Sequence, residues 1–477
     1  MKRLSFLALF ILLAVIFAGC GGKPKTDDKG VNAEGKTVLE FWHYFAGDHE
    51  RTLKAIVADF EKENPDIIVK PLYQGRPQEL LQKLQNSFAT SPAKNPALAT
   101  VYESWTSDFY AADLMDHVED HINGPDGWEP GEIDDIVKVY REANSYDGKL
   151  VTMPFNKSVY ALYMNLDRLA AAGITTAPKN LDEFRDVIVK LTNVDGPGQK
   201  TYGIGVQPAS EAFTTLYFAS GGEFLNEEGK PVFDTEDART VLNFWRNLQT
   251  PKKHLYVNAE YMDAPLANEQ IAMFIYSSAS FPYVSKKVDG KFKWGVAPIP
   301  GIAGRTPRYV MQGTNVGIFK NKSEGERAAA WKFLKFLTNT HNSVKWETAT
   351  GYMPIRYSVL SDPEMVKYMA ENSNYAAAAS WVTNDMGKQE PKIRAWDGIR
   401  QEIGVMVDRV LNRNANPEVE LKELEARVAK RLAVVPERGA GANQVETGST
   451  PASSPAPQAA QPPTQDNASA TTAPATN

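Results

Sequence analysis

The chain has 477 residues, with 52 Lys and Arg against 58 Asp and Glu, a formal net charge of −6 and no basic block. That balance excludes the electrostatic footprint of a nucleic-acid binder. A single cysteine, Cys20, excludes an internal disulfide. The 9 Trp, 19 Tyr and 21 Phe supply core, a stacking surface for a ligand, or both.

In chain order, Lys2 and Arg3 precede the short apolar run "LSFLALFILLAVIF" and the small residues "FAGC". A spanning helix needs roughly 20 apolar residues, so the run reads as an export signal cleaved near its end. With Ala18 and Gly19 before it, Cys20 resembles the lipobox of bacterial lipoproteins. The resemblance implies a lipoprotein signal segment over 1–20, cleavage before Cys20 and a lipid on its thiol. Residues 21–36 lack periodicity and read as a tether. "TVLEFWHYF" reads as a strand, and "HERTLKAIVADFEKENP" as a helix with Leu53, Ile56, Val57 and Phe60 on one face. "DIIVKPLY" is a second strand; a helix from Pro77 carries Leu80, Leu81, Leu84 and Phe88; "ALATVYES" is a third strand. This β-α-β-α-β order predicts a parallel sheet, with ligands beyond the strand ends near Trp42, His43, Tyr73 and Glu103.

The chain changes lobe near "LVTMPFNKSVYALYMNLDRLAAAGI", where two strand-like stretches flank Pro154. Further on, "QIAMFIYSS" reads as a strand, 324–348 as one amphipathic helix, and "TGYMPIR" follows it. Gly351 and Pro354 stop that helix; Tyr352 between them either fills a gap or meets a ligand. Residues 437–477 are rich in Pro, Ala, Ser and Thr and have almost no large apolar side chain, so they are expected to be disordered. The roughly 400 residues between tether and tail exceed one usual core, which predicts two lobes.

No P-loop, G-x-S-x-G elbow or cysteine nucleophile is present in the sequence, and His117 and His121 read as a solvated acidic turn, not a zinc pair. No catalytic residue, metal or cofactor is expected.

The chain resembles the family 1 extracellular solute-binding proteins of ABC importers, most nearly the branch that binds glycerol-3-phosphate and glycerophosphodiesters. The residues are Phe41-Trp42-His43, Glu63-Asn64-Pro65, Tyr102-Glu103, Pro154-Phe155-Asn156 with Ser158, and Tyr163, Asn165 and Asp167. Later come Ala272-Met273, Ser277-Ser278, Gly313, Thr350 to Ile355 and Ile399-Arg400, so the likeness covers roughly 37–410. It implies an α/β, two-lobe, maltose-binding-like fold with a hinge and an interlobe cleft. Lobe I would hold 37–152 and 309–350, and lobe II 153–308 and 351–436. It further implies a small-molecule solute, ABC permease subunits as partners, and no enzymatic activity. The expected protein is a monomer anchored to the membrane by lipid, facing the periplasm or the outer cell surface.

Carried over residue by residue, Glu103 would grip glycerol hydroxyls, and Ser158 and Ser278 would hold phosphate. The Gly313 amide, the Tyr352 hydroxyl and the Arg400 guanidinium complete the set. The chain departs from the family at Pro77, where a ligand-contacting tyrosine is replaced, and Tyr73 or Arg76 compensates or the ligand differs. "GVQPASEAF" lacks the Trp-rich character of the glycerol-3-phosphate relatives, which tips the reading towards a glycerophosphodiester. Each assignment has an alternative: Arg400 could pair with Asp397 or Glu402, Ser158 could end a strand, and Glu103 could cap the helix after it. A disaccharide or oligosaccharide is the other ligand, with Trp42, Trp105 and Tyr283 stacking on sugar rings. A secreted phosphodiesterase and a surface adhesin are the readings outside transport.

Overall fold

The computed structural model describes residues 30–90, 94–196, 200–251 and 253–433. Cys20, the signal segment and the 437–477 tail lie outside the described residues, as does most of the tether. No described helix is long and apolar enough to cross a membrane.

Strand Thr37–His43 pairs in parallel with Ile67–Tyr73 on one side and Leu98–Val101 on the other. The crossover helices Asp48–Glu63 and Pro77–Thr90 bury Leu53, Ile56, Val57 and Phe60, and Leu80 and Leu84. Asn64 and Pro65 end the first helix as expected, because a helix cannot continue into an X-Pro step. Strand Leu98–Val101 then pairs antiparallel with Tyr309–Phe319, a segment that returns from late in the chain. A second half of the same sheet is built on Met153–Asn165. That strand pairs antiparallel with Ile271–Ser277, which continues in parallel through Tyr202–Val206 to Leu255–Val257. Trp294–Ala297 covers the end of Met153–Asn165.

The halves meet where Met153–Asn165 pairs antiparallel with Tyr309–Phe319, from Met311 opposite Val159 to Val316 opposite Met153. All thirteen residues of Met153–Asn165 are buried, so this seam runs through the core.

Two local readings need correction. Pro154 does not separate two strands; one strand runs through it. Thr314 lies opposite Asn156 and Asn315 opposite Pro154, so the register slips and Phe155 is the extra residue of a bulge. A bulge tolerates the missing proline N–H. Nor is 324–348 one helix. Helix Glu324–Leu337 stops, Asn339 caps a new start by accepting from the Asn342 N–H, and Thr340–Thr350 follows. Gly351, with φ +77, then ends that helix.

Candidate functional site

Glu103 is the first residue of helix Glu103–Ala111, just beyond the third strand; the N-cap position itself is Tyr102, whose side chain makes no cap bond. One carboxylate oxygen, Oε1, accepts from Lys157 Nζ at 2.5 Å and from Gln389 Nε2 at 2.7 Å. Lys157 lies on the seam strand with a side chain that is 0% exposed. Its ammonium also reaches the Gly313 carbonyl at 3.5 Å and lies 5.7 Å from the Tyr140 ring centroid. Burial lowers the Lys157 pKa, and Glu103 opposes that shift. Gly313 faces Lys157 across the seam with φ +119, and a Cβ there would sit 1.9 Å from the Asn156 carbonyl oxygen. Only glycine fits so close a backbone approach.

Arg400, on helix Trp396–Arg413, is held by two carboxylates, Glu390 and Glu211. Neither sits on its own helix. Asp397 instead accepts from Trp105 Nε1 at 2.7 Å and Ser104 Oγ at 3.0 Å, and Glu402 pairs with Arg427 and Arg431. The Gln312 carboxamide oxygen accepts from Arg400 Nη1 at 3.0 Å and Nη2 at 3.2 Å, while its nitrogen donates to Tyr160 Oη at 3.2 Å. Burial works against the Arg400 charge, yet Glu390 and Glu211 together hold its pKa above the usual range. Burial raises the Glu390 pKa despite Arg400, and Glu390 Oε1 has no hydrogen-bond partner.

The seryl groups stand beside this cluster. Ser158 Oγ donates to the Gln312 carbonyl at 3.5 Å. Ser278 Oγ accepts from the Val159 N–H at 3.1 Å, one residue along the same strand. Tyr352 is 3% exposed and stacks on Trp346 at 6.2 Å with an interplanar angle of 2°. Burial pushes the pKa of its hydroxyl well up, with Asn156 and Tyr44 beside it. Asn156 Nδ2 donates to Tyr44 Oη at 2.8 Å, and Tyr44 stacks on Tyr102, next to Glu103.

One patch along the seam thus gathers two hydrogen-bonded groups, Glu103 with Lys157 and Gly313, and Arg400 with Gln312 and Ser158, with Ser278 bonded at Val159 and Tyr352 beside Asn156. Trp42 and Tyr73 share no hydrogen bond with it: the Trp42 indole donates to Glu40 on its own strand, and Tyr73 is 46% exposed beside His43. Trp105 is buried against Tyr102, with its N–H committed to Asp397. Among the described residues no group of three or more His, Cys, Asp or Glu is placed to hold a metal, and His121 pairs with Asp116 at 2.6 Å. A cavity of about 720 Å³ opens between Glu119, Tyr146, Asp147 and Lys392, with Tyr146 as its link to the Glu103 backbone.

Sequence reasoning missed Lys157, Glu211, Gln312, Gln389 and Glu390. For Lys157 a signal existed, since a lysine inside the apolar run "MPFNKSVYALYMN" rarely goes unpaired. The other four join the site only through long-range folding.

Residues 55–373 match the family described as bacterial extracellular solute-binding protein. The sn-glycerol-3-phosphate-binding periplasmic protein UgpB of Escherichia coli K12 is 27% identical over 397 residues, covering 80% of this chain and 88% of its own. The structure of Mycobacterium tuberculosis UgpB in complex with glycerophosphocholine superposes with a TM-score of 0.72 at 20% identity, covering 84% of this chain and 99% of that one. The sugar-binding protein MalE of Xanthomonas citri gives 0.72 at 22% identity, covering 83% and 98%. These likenesses show the two-lobe, maltose-binding-like α/β fold that the sequence predicts.

Proposed function

Because the chain belongs to the bacterial extracellular solute-binding proteins, components of ABC importers and not enzymes, we propose that its solute is a glycerophosphodiester or glycerol-3-phosphate. The observation that carries this reading is the likeness to UgpB over 397 residues. The site supports it with a carboxylate for polyol hydroxyls at Glu103, and with hydroxyls and a guanidinium for phosphate at Ser158, Ser278 and Arg400. The lobes are 37–152 with 309–350 and 153–308 with 351–436, and solute captured on one lobe favours closure of the other over it. The protein works as a monomer anchored through Cys20 and delivers its solute to permease subunits.

A disaccharide or oligosaccharide is the second reading, and one observation favours it. Glu211 and Glu390 already neutralise Arg400, so a phosphate would have to displace a carboxylate, whereas an uncharged sugar would not. Calorimetry with glycerophosphocholine, glycerol-3-phosphate and maltose separates the two. Binding of a phosphate ligand, weakened by Arg400→Ala, is the expected result. Binding of maltose alone rejects the phosphate reading.

A further inference from the structure

We propose that Lys157 is a specificity-determining residue, which holds one oxygen of Glu103, cancels its charge, and leaves the other oxygen as a single acceptor for an uncharged solute hydroxyl. This rests on Glu103 being a solute-binding residue, but not on which solute it is.

The geometry is specific. Lys157 has no exposed side-chain surface, and its ammonium ends on Glu103 Oε1. Gln389 donates to the same Oε1, so two donors converge on one oxygen while the Glu103 side chain keeps 13% exposure. A free carboxylate offers both oxygens to a pair of hydroxyls or to a cation; this one offers Oε2 without net charge. The backbone of Lys157 is fixed from both sides. Its carbonyl accepts from the Met353 N–H at 2.7 Å, and Gly313 lies opposite it on the neighbouring strand. The groups around the pair complete the electrostatics. Lys392 is a second cation acting on the same carboxylate, Tyr102 and Tyr140 lie beside it as neutral phenols, and Tyr146 Oη donates to the Glu103 carbonyl at 2.9 Å. Of these, only Lys157 is a cation in direct contact with Glu103.

Removing the ammonium leaves a partly buried carboxylate without its counter-charge, which favours proton uptake by Glu103. It also places a net negative charge beside an anionic solute; at a separation of several ångströms and an effective dielectric near 20 that weakens binding roughly tenfold to a hundredfold. Three proteins decide the matter: Lys157→Met, Lys157→Gln in case the first fails to fold, and the double variant Lys157→Met/Glu103→Gln. Each is titrated with glycerol-3-phosphate, glycerophosphocholine and maltose between pH 5 and pH 8. In the single variants, whichever solute binds is expected to show a pH dependence beyond that of wild type measured with the same solute, since a phosphate monoester itself titrates at about pH 6. A phosphate solute is expected to lose far more affinity than maltose, and the double variant to remove the added pH dependence. Thermal melts without solute give the same answer if none of the three binds. Single-variant stability relative to wild type then falls as pH rises through the Glu103 titration, and the double variant does not show this. A purely structural lysine would lower all affinities equally at every pH, and that result, or affinities within about twofold of wild type, overturns the proposal. If wild type binds only maltose, the phosphate reading fails, and the maltose pH profile still decides the role of Lys157.

Discussion

Tyr352 is a core side chain whose polar end decides whether it is anything more. Gly351 stops its helix with φ +77, the Tyr352 carbonyl accepts from Tyr375 Oη at 2.9 Å, and the ring lies flat on Trp346. The helix-stop role therefore holds, and the ring is also core. Its hydroxyl nonetheless lies beside the hydrogen-bonded pair Asn156 and Tyr44, whose ring stacks on Tyr102, the neighbour of Glu103. A buried hydroxyl beside such partners contributes about 1 kcal/mol, and its removal leaves partners unsatisfied. Tyr352→Phe is therefore expected to lower stability by about 1 kcal/mol. If the hydroxyl also meets solute, affinity falls by roughly fivefold or more. Urea unfolding and calorimetry on the same variant read the two effects separately, and unchanged affinity would leave Tyr352 as core alone.

Among the elements, helix Glu324–Leu337 carries the clearest local code. Ser323 accepts from the Glu326 N–H at 3.2 Å and Glu326 Oε2 accepts from the Ser323 N–H at 3.1 Å, a reciprocal capping box. Loss of such a cap costs about 1 kcal/mol, so Ser323→Ala should lower the unfolding free energy by that amount, read as a lower urea midpoint at unchanged slope, without touching solute affinity. A variant as stable as wild type would show that packing of Trp331, Phe333 and Leu334 alone holds the helix. Much of this scale was legible in the sequence. The apolar spacing in 48–63 and 77–90 gave both crossover helices, because one buried face against a sheet imposes that period. The failures have physical causes. Apolar spacing carries straight through Thr338 and Asn339, so the break there is visible only as a capping residue. Pro154 argues for a strand boundary until a bulge removes the need for its N–H. Glu103, Tyr352 and Arg400 could be named as candidates because they sit in the local motifs that carry the family resemblance. The site was illegible at Glu211 and Glu390, which reach Arg400 from other segments, across 189 and 10 residues respectively.

At the scale of the whole molecule, the first half of the sheet encloses two histidines. His43 ends the first strand, with Nδ1 accepting from the Phe45 N–H, and His49 packs on Trp346 and Tyr352. Burial lowers both pKa values from 6.5 to about 4. Between those values the unfolded chain binds protons that the folded chain does not, so stability falls as pH drops from about 6.5 towards 4. Above pH 6.5 neither histidine contributes to the slope. A shift of this size is worth on the order of 3 kcal/mol for each ring at the acid end. Urea unfolding from pH 7 to pH 4.5 should show the loss, and His43→Gln/His49→Gln should flatten it. An equal slope in that variant would assign the acid sensitivity to other groups.

The seam between Met153–Asn165 and Tyr309–Phe319 has a mechanical meaning. Two strands laced side by side form a ribbon, which resists stretching and shear but yields to torsion. Any change in angle between the halves of the sheet would therefore be taken up as twist along the span from Met311–Val159 to Val316–Met153. Lys157, Ser158 and Gly313 all lie within that span. The residues proposed to meet the solute are thus threads of the ribbon itself, so touch and turning would be registered by the same few peptide units.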